Sequence, residues 1–277
     1  NGDYLTAPVV FVLISARIAD RMGFPALYMT GYGVVASSFG LPDAGLASYT
    51  EMVDRVKTIA AGTLTPLIAD GDTGYGDLLN VQRTVRGYEQ AGAVAIQLED
   101  QKIPKKCGHT PNRRVIPVDD MVAKIRVAVA ARESENFLVI ARTDARTQYG
   151  LAEAIGRGQA FAKAGADVVF VEAPESVDEM IEICREIDGP LMANMVNGGK
   201  TPLLSAEELK DLGYQIVIFP GTAFLAAGSA VQSVYQHLKA TGSSRGLPTP
   251  LYDFEEFNRL MGFEEVWAFE KKWTDLS

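Results

Sequence analysis

One pattern recurs along the chain: an amphipathic stretch ends at a glycine, and a run of apolar residues follows it. The pattern appears as "MGFPALYMTG" (22–31), "AGAVAIQLED" (91–100), "AGADVVFVEA" (164–173) and "LGYQIVIFPG" (212–221). Glycine after a helical segment is the expected left-handed cap. The apolar runs do not alternate with polar residues, which is typical of strands that are covered on both faces of a parallel sheet.

Four more strands are predicted where an apolar run begins without that glycine. They are "APVVFVLI" (7–14), "TPLIADGD" (65–72), "FLVIARTD" (137–144) and "PLMANM" (190–195). Amphipathic helices are predicted between the strands at 50–61, 78–91, 118–132, 150–164, 176–187 and 205–212. Strands that alternate with helices in this number predict an α/β fold, a (β/α)8 barrel of the TIM type. A doubly wound open sheet is the alternative, and the absence of a glycine-rich dinucleotide fingerprint disfavours it.

The end of the chain has a different character. A helix is predicted near 222–240, followed by a Gly/Ser/Pro linker at 241–250 and an amphipathic segment at 253–273 that carries both tryptophans. We therefore expect a barrel domain over 1–240 and a linker with a helical extension over 241–277. Because a closed barrel does not need this extension, we expect it to pack on a neighbouring subunit. Packing against its own barrel is the alternative.

Composition and charge narrow the possible partners. In 277 residues the chain is 47% hydrophobic and 22% charged, which suits a globular protein with a core large enough to enclose a pocket. Its formal net charge of −9 argues against nucleic acid or an anionic membrane as the main partner. No apolar run reaches the roughly 18 residues that a membrane-spanning helix needs. Two cysteines far apart give no disulfide framework, so a reducing, cytoplasmic location is expected.

Polar residues occupy the predicted ends of the strands. In a parallel barrel these ends share one mouth, where reactive side chains collect. The residues at these positions are Tyr28, Thr30, Asp70, Asp72, Glu99, Arg142, Glu172 and Asn194. So many carboxylates in one mouth require a cation, and oxygen ligands favour Mg²⁺ or Mn²⁺ over Zn²⁺.

The acidic turn "ADGDTGYG" (69–76) is the most suggestive of these stretches. Its glycines let the backbone turn sharply while two aspartates converge. A calcium loop is excluded because Gly74 and Tyr75 occupy the positions of the next ligand and glycine. The structural alternative is that Asp70 and Asp72 cap the following helix.

The other candidates have structural alternatives too. Glu99 and Asp100 could cap a surface loop, Arg142 and Asp144 could form a structural ion pair, Glu172 could be a rim charge, and Asn194 could be a turn residue. Cys184 has helical spacing and is expected in the core.

Residues 101–117, "QKIPKKCGHTPNRRVIP", follow the fourth predicted strand, so they can fold over the mouth as a lid. Lys105 and Lys106 directly precede Cys107; they favour an anionic substrate and a lowered thiol pKa. A thiol in this position could deliver a proton to a developing carbanion. Zinc binding by Cys107 and His109 is disfavoured because no companion ligands are evident. An inert basic loop is the remaining alternative.

Together these stretches resemble the isocitrate lyase/phosphoenolpyruvate mutase superfamily. The resemblance covers nearly the whole chain and is carried by "YMTGYGVVASSFGLPDAGLAS", "ADGDTGYG", "IQLEDQ", "KKCGH", "ARTDAR", "FVEAPE" and "ANMVNGGKTP". The motif "KKCGH" is similar to the lyase branch, of the methylisocitrate lyase and 2,3-dimethylmalate lyase type. In strand one, relatives often have Gly and Asp where this chain has Val9 and Val12.

The resemblance implies a role for each matching residue. Asp72 would contact Mg²⁺, with Asp43, Asp70 and Glu99 holding its water shell. Thr30, Gly31 and Arg142 would bind the carboxylate of the 2-oxo acid fragment. Cys107 would be the general acid, with Lys105, Gly108 and His109 around the second carboxylate, Glu172 and Asn194 at the far end of the substrate, and Tyr28 as acceptor of the hydroxyl proton. It also implies a swapped C-terminal helix and a homotetramer.

The resulting hypothesis is a Mg²⁺-dependent lyase that cleaves a 2-hydroxy di- or tricarboxylic acid to a 2-oxo acid and a carboxylic acid. Three alternatives stay open on the same fold. The first hydrolyses or decarboxylates oxaloacetate, the second is a phosphorylmutase for carboxyvinyl-carboxyphosphonate or phosphoenolpyruvate, and the third is a silent barrel that only binds dicarboxylates.

Overall fold

The computed structural model describes residues 4–108, 110 and 112–274. Parallel strands form a closed barrel in which β1 pairs with β8, and this confirms the predicted (β/α)8 fold. The strands are Leu5–Val10 (β1), Leu27–Met29 (β2), Leu67–Asp70 (β3), Ala95–Glu99 (β4), Leu138–Thr143 (β5), Val168–Val171 (β6), Leu191–Asn194 (β7) and Ile216–Phe219 (β8).

Helices alternate with the strands along the chain, and three more follow the last strand. They are Leu13–Arg21 (α1), Gly31–Phe39 (α2), Tyr49–Ala61 (α3), Leu78–Gln90 (α4), Val118–Ala131 (α5), Arg146–Tyr149 (α6), Leu151–Lys163 (α7), Val177–Glu186 (α8), Ala206–Leu212 (α9), Thr222–Thr241 (α10), Phe254–Leu260 (α11) and Phe263–Trp273 (α12). Among the described residues, no helix combines the length and apolarity that crossing a membrane requires.

Apolar side chains form two layers. The inner layer fills the barrel and includes Val9, Tyr28 and Phe170. The outer layer lies between the strands and the helices, and Cys184 is half-buried against it. Because both faces of every strand are covered, the strands read as continuous apolar runs in the sequence.

The first strand is shorter than predicted. β1 ends at Val10, and α1 begins at Leu13, inside the stretch expected to be extended. Val12 directly precedes α1, and its apolar side chain cannot accept a hydrogen bond. The Ser15 hydroxyl oxygen instead accepts from the amides of Phe11 and Val12, at 3.0 and 3.2 Å. A serine inside the helix thus satisfies two backbone amides that directly precede it, as the reach-back residue of a capping box does.

The chain forms two compact units, Asn1–Phe224 and Leu225–Ser277. The first contains the whole barrel. The second contains most of α10 together with α11 and α12, and it exposes several large apolar side chains, including Phe254 and Trp273. The expected domain boundary at residue 240 and the swapped helix stay predictions.

Candidate active site

The strands bring most of the predicted site residues to one mouth of the barrel. Tyr28 lies in β2 and Thr30 directly follows it. The carboxyl ends of the next strands carry Asp70 (β3), Glu99 (β4), Arg142 (β5), Glu172 (directly after β6) and Asn194 (β7). Asp72 follows β3 by two residues. All eight side chains are buried, so none is a rim charge or a surface cap.

The acidic turn is shaped by its own hydrogen bonds. Asp72 has a φ of 48°, in the left-handed region, and its amide donates to Oδ1 of Asp70 at 3.0 Å. The ammonium of Lys124 donates to the carbonyl oxygens of Thr73 and Gly76, each at 2.9 Å. Helix α4 begins later, and its cap is Asp77. Helix capping therefore does not explain Asp70 and Asp72.

The lid is closed at its base by backbone hydrogen bonds. The amide of Lys102 donates to the Arg114 carbonyl at 2.7 Å, and the amide of Ile116 donates to the Asp100 carbonyl at 2.9 Å. The side chain of Gln101 bonds both backbone groups of Lys106. These contacts join the two ends of the lid at the end of β4, next to the mouth.

The tip of the lid lies over the mouth. The amide of Cys107 donates to the Asp43 carbonyl at 3.2 Å. Gly108 packs against Arg142 and Glu172 so closely that an added Cβ would lie 2.2 Å from Nη2 of Arg142. The structure thus places the cysteine segment directly above the residues of β5 and β6. His109 lies outside the described residues.

Lys105 links the lid to the acidic residues. Its buried ammonium forms ion pairs with Asp43 and with Oδ1 of Asp72, the latter at 2.6 Å. Burial alone would lower the pKa of Lys105, but the carboxylates of Asp72, Glu99 and Asp43 raise it well above its usual value. Lys105 is therefore a fixed positive charge at the mouth.

The acidic residues have the donor chemistry of a hard-cation site. Burial raises the pKa of Asp72 to about 6 against the opposing effect of Lys105, and burial also raises the pKa of Glu99 well above its usual range. Oε1 of Glu99 is buried without a hydrogen-bond partner among the described residues. These are carboxylates that gain from added positive charge, which is what Mg²⁺ supplies.

Within the described ranges, no group of three His, Cys, Asp or Glu side chains converges tightly enough to enclose a metal ion directly. Mg²⁺ usually keeps several of its waters and takes one or two carboxylates. The carboxylates of Asp72, Asp43, Asp70 and Glu99 fit an ion of this kind, which keeps most of its waters.

Arg142 is the cation on the other side of the mouth. Its guanidinium lies 3.2 Å from Oε2 of Glu172 and 3.6 Å from Oε2 of Glu99, and it donates twice to Asp144, at 2.9 and 3.0 Å. The amide of Asn194 donates to Glu172 at 3.0 Å. Burial alone would lower the pKa of Arg142, but the carboxylates of Asp144, Glu172 and Glu99 raise it well above its usual value. The expected Arg142–Asp144 pair exists, yet it lies inside the site.

The start of α2 offers further donors. The Gly31 amide donates to Oδ2 of Asp70 at 3.2 Å, and the Thr30 hydroxyl caps α2 by accepting from the Gly33 amide at 3.5 Å. A Cβ on Gly31 would lie 2.7 Å from Oδ2 of Asp70, so any side chain there would displace the Asp70 carboxylate. Backbone amides at a helix start favour anionic ligands.

Tyr28 belongs to a buried chain of hydrogen bonds. Its hydroxyl donates to Oε1 of Gln97 at 2.5 Å, and the Gln97 amide donates to Asp70 at 3.4 Å. Burial and the neighbouring Asp70 raise the pKa of Tyr28 well above its ordinary value. The phenol is therefore protonated at neutral pH.

Sequence reasoning missed several residues that support the mouth. Gln97 lies inside the apolar run of β4, and Lys124, Arg113 and Arg157 lie on segments that read as surface. The signal for Gln97 was a polar residue in an otherwise apolar strand. The sequence gave no such signal for Arg113, Arg157 and Lys124, because only the folded chain shows that they are buried.

Comparisons with known proteins agree with this geometry. A family model described as phosphoenolpyruvate phosphomutase matches residues 1–239. The chain is 46% identical to the 2,3-dimethylmalate lyase of Eubacterium barkeri over 98% of this chain and 93% of that protein. It is 41% identical to the 2-methylisocitrate lyase of Aeropyrum pernix over 99% of this chain and 87% of that protein.

Solved structures show the same fold along the chain. Oxaloacetate acetylhydrolase in complex with 3,3-difluorooxalacetate is 34% identical with a TM-score of 0.93, covering 98% of this chain and 93% of that one. Phosphonopyruvate hydrolase in complex with oxalate and Mg²⁺ is 31% identical with a TM-score of 0.87, covering 98% and 95%. The chain therefore belongs to the phosphoenolpyruvate mutase/isocitrate lyase superfamily, and it is a carbon–carbon lyase of that superfamily.

Proposed function

We propose that the enzyme is a Mg²⁺-dependent lyase that cleaves a 2-hydroxy di- or tricarboxylic acid between C2 and C3. The products are a 2-oxo acid, pyruvate or glyoxylate, and a carboxylic acid, as from a substrate like 2,3-dimethylmalate or 2-methylisocitrate. The observation that carries this proposal is the position of the Cys107 segment, which lies over a mouth with carboxylates on one side and Arg142 on the other.

Mg²⁺ bound by Asp72, with Asp43, Asp70 and Glu99 around its water shell, would stabilise negative charge on the substrate hydroxyl and its adjacent carboxylate. Arg142 would bind that carboxylate with its planar fork of donors. The Thr30 hydroxyl and the Gly31 amide lie at the start of α2 and would complete the anion pocket. Glu172 and Asn194 would contact the far end of the substrate.

Two proton transfers accompany the bond cleavage. The hydroxyl proton leaves while its oxygen forms the carbonyl of the 2-oxo acid, and the bonding electrons of C2–C3 stay on the departing carbon. Cys107 then gives its proton to that carbon as general acid. Tyr28 is the proposed acceptor of the hydroxyl proton. Because its raised pKa keeps the phenol protonated, Tyr28 could accept this proton only after losing its own to solvent, which the positive charge of a bound Mg²⁺ would favour.

The lid would stabilise the charge that develops on the departing fragment. Lys105 supplies a buried positive charge, and Gly108 and His109 are the proposed neighbours of the second carboxylate. Closing the lid excludes water, and these charge interactions are stronger in a water-excluded site.

A screen of 2-hydroxy di- and tricarboxylic acids tests the proposal. Each acid is incubated with enzyme and Mg²⁺, and 2-oxo acid release is followed with lactate dehydrogenase. Turnover of a C2- or C3-methylated malate or of methylisocitrate, abolished by chelator and restored by Mg²⁺, is expected. Calorimetric binding of oxalate without turnover of any acid would instead support the silent barrel.

Hydrolysis of oxaloacetate is the second candidate, because the oxaloacetate acetylhydrolase structure superimposes on the chain with a TM-score of 0.93. Oxaloacetate should be incubated with the enzyme and analysed for oxalate, acetate and pyruvate. Oxalate and acetate in equal amounts, with no release from methylated malates, would favour this candidate.

We further infer that residues 225–277 pack on other copies in a homotetramer. Phe254 is 80% exposed and Trp273 is 66% exposed within one chain, and monomeric proteins rarely expose large apolar patches. Light scattering should give four times the 29.9 kDa of the chain. A mass equal to one chain would contradict the inference.

A further inference from the structure

The carboxylate of Asp144, directly after β5, accepts hydrogen bonds from two arginines, one in β5 and one in the lid. Its carboxylate accepts two hydrogen bonds from Arg142, and its Oδ1 also accepts one from Nη1 of Arg113, which belongs to the lid. Asp144 is 2% exposed and Arg113 is 3% exposed, so this is a buried cluster. Such buried groups are held in place strongly, because leaving one charge unpaired is costly.

Arg113 joins the lid to the barrel through both terminal nitrogens of its guanidinium, and its Nε bonds the lid itself. Its Nη2 donates to the Thr147 hydroxyl at 2.6 Å, just beyond β5, and its Nε donates to the Thr110 carbonyl at 3.2 Å, within the lid. Thr110 in turn bonds the Cys107 carbonyl through both its amide and its hydroxyl, at 3.0 and 2.7 Å. A continuous chain of hydrogen bonds thus connects Cys107, Thr110, Arg113, Asp144 and Arg142.

A second set of hydrogen bonds, which runs through Asp100, also holds Asp144 in place. Its amide donates to Oδ1 of Asp100 at 2.9 Å, and Oδ2 of Asp100 accepts from Arg157 at 3.1 Å. Arg157 also donates to the carbonyl of Ile116, at the base of the lid, at 2.9 Å. Asp144 is therefore held by groups of the barrel as well as by Arg113, which is its partner from the lid.

We propose that Arg113 is a positioning residue that latches the closed lid by sharing Asp144 with Arg142. Closure of the lid over Cys107 and the orientation of Arg142 toward a carboxylate are then coupled. Arg142 bonds both oxygens of Asp144, and Arg113 adds a further hydrogen bond at Oδ1, so Arg113 helps to fix the carboxylate plane against which the Arg142 guanidinium is held. The inference rests on the proposed function, since it takes Arg142 as the carboxylate-binding group.

The test uses Arg113→Met and Arg113→Lys, with Arg114→Met as the matched control. Arg114 is the next residue and its side chain is exposed. Two quantities are measured on the full chain with Mg²⁺ present. The first is the rate at which iodoacetamide alkylates Cys107 with and without oxalate, and peptide mass spectrometry distinguishes Cys107 from Cys184. The second is the Kd of oxalate, measured by calorimetry.

Oxalate should slow alkylation of Cys107 in the wild type and in Arg114→Met. Arg113→Met should lose most of this protection and bind oxalate about 10-fold more weakly, the scale of a lost buried charged hydrogen bond. Arg113→Lys keeps the positive charge but not the planar set of donors of a guanidinium. Its oxalate protection and oxalate Kd should therefore lie between those of the wild type and of Arg113→Met. If Arg113→Met does not fold, Arg113→Lys carries the test.

Two further variants test whether Arg113 orients Arg142 through Asp144 or only holds the lid in place. Thr147→Val removes one Arg113 contact but leaves Asp144 intact, so oxalate should bind as in the wild type. The double variant Arg113→Met with Asp144→Asn should be no weaker than Asp144→Asn alone. The latch would be overturned if Arg113→Met kept the oxalate protection of Cys107 and the oxalate Kd of the wild type. It would also be overturned if the loss of oxalate affinity in the double variant equalled the sum of the losses in the two single variants. No oxalate protection in the wild type would instead count against the proposed function.

Discussion

The ammonium nitrogen of Lys105 lies 2.6 Å from Oδ1 of Asp72, so a lid residue neutralises a carboxylate of the barrel mouth. A divalent cation at Asp72 must compete with this ammonium for the same oxygen. In the proposed mechanism the lid would therefore influence metal affinity as well as substrate enclosure.

Lys105→Met should increase affinity for Mn²⁺ in the absence of substrate. Removing a unit charge this close to the acidic residues removes a repulsion of several kcal/mol at the effective dielectric near a protein surface, so an increase of at least about 10-fold is expected. Electron paramagnetic resonance of free Mn²⁺ measures it. Turnover should fall at the same time, because Lys105 no longer faces the departing fragment. Lys106→Met is the control, and weaker Mn²⁺ binding in Lys105→Met would refute the competition.

Gly108→Ala should prevent full closure of the lid. The added Cβ would lie 2.2 Å from Arg142 and 3.0 Å from Glu172, and both neighbours are held by ion pairs. We expect kcat to fall about 100-fold, as for a displaced general acid, with folding unchanged.

Gly156→Ala is the matched control for this substitution. Gly156 lies in α7 with open space around its Cα, so alanine there should raise stability by about 0.5–1 kcal/mol and leave kcat unchanged. Equal kcat values in Gly108→Ala and the wild type would show that the lid does not close in this way during turnover.

The barrel and its mouth followed from the sequence because parallel strands impose local rules. Apolar runs after glycine marked β4 and β6, and the polar residue ending each run, such as Glu99, had to lie at the shared mouth. The end of β1 was missed because Val12 and Leu13 are as apolar as strand residues. The change from strand to helix at this point is accompanied by hydrogen bonds to the Ser15 hydroxyl, a short-range contact that apolar patterning does not register.

The contacts of the lid could not be predicted in the same way. Lys105 and Asp72 are far apart in sequence and belong to segments without periodicity, so no pattern pairs them. Arg113 reads as one more basic residue of a polar loop. Its burial beside Asp144 depends on the path of the whole lid, which tertiary packing determines.

Cys107→Ser should retain Mg²⁺ and oxalate binding while kcat falls at least about 100-fold, because a serine hydroxyl is a far weaker acid than a thiol. Calorimetry and steady-state kinetics measure the two effects. Wild-type turnover in this variant would remove the thiol from the mechanism, and phosphonate turnover by it would revive the phosphorylmutase alternative.

Asp72→Asn should abolish metal-dependent turnover and weaken Mn²⁺ binding, since the amide has no charge to offer the ion. Asp77→Asn is the control from the same loop region. Asp77 only caps α4, and asparagine caps a helix about as well as aspartate. Activity should therefore survive in Asp77→Asn, and comparable losses in both variants would show that the loop is only structural.

Asp20 gives a prediction about stability that is independent of the active site. Its Oδ1 accepts hydrogen bonds from the amides of Leu64 and Thr65, at 3.0 and 2.8 Å, and from the Thr65 hydroxyl at 2.7 Å. Burial opposes ionisation, but these bonds outweigh it and lower the pKa of Asp20 below its ordinary value. Asp20→Asn should cost about 1 kcal/mol of unfolding free energy near neutral pH, because asparagine accepts these bonds without a charge.

A lowered pKa means that the folded state favours the ionised form, so the stabilisation is present above the ordinary pKa of aspartate. It is lost as the pH falls through the lowered value. The difference between wild type and Asp20→Asn should therefore shrink as urea unfolding is repeated from neutral pH down to about pH 3.5. Asp54→Asn, at an exposed position of α3, is the control. Its free energy of unfolding should stay close to that of the wild type both near neutral pH and at about pH 3.5. A cost for Asp20→Asn that stays constant with pH would mean that the Asp20 charge contributes nothing, and that its oxygen acts only as a neutral acceptor.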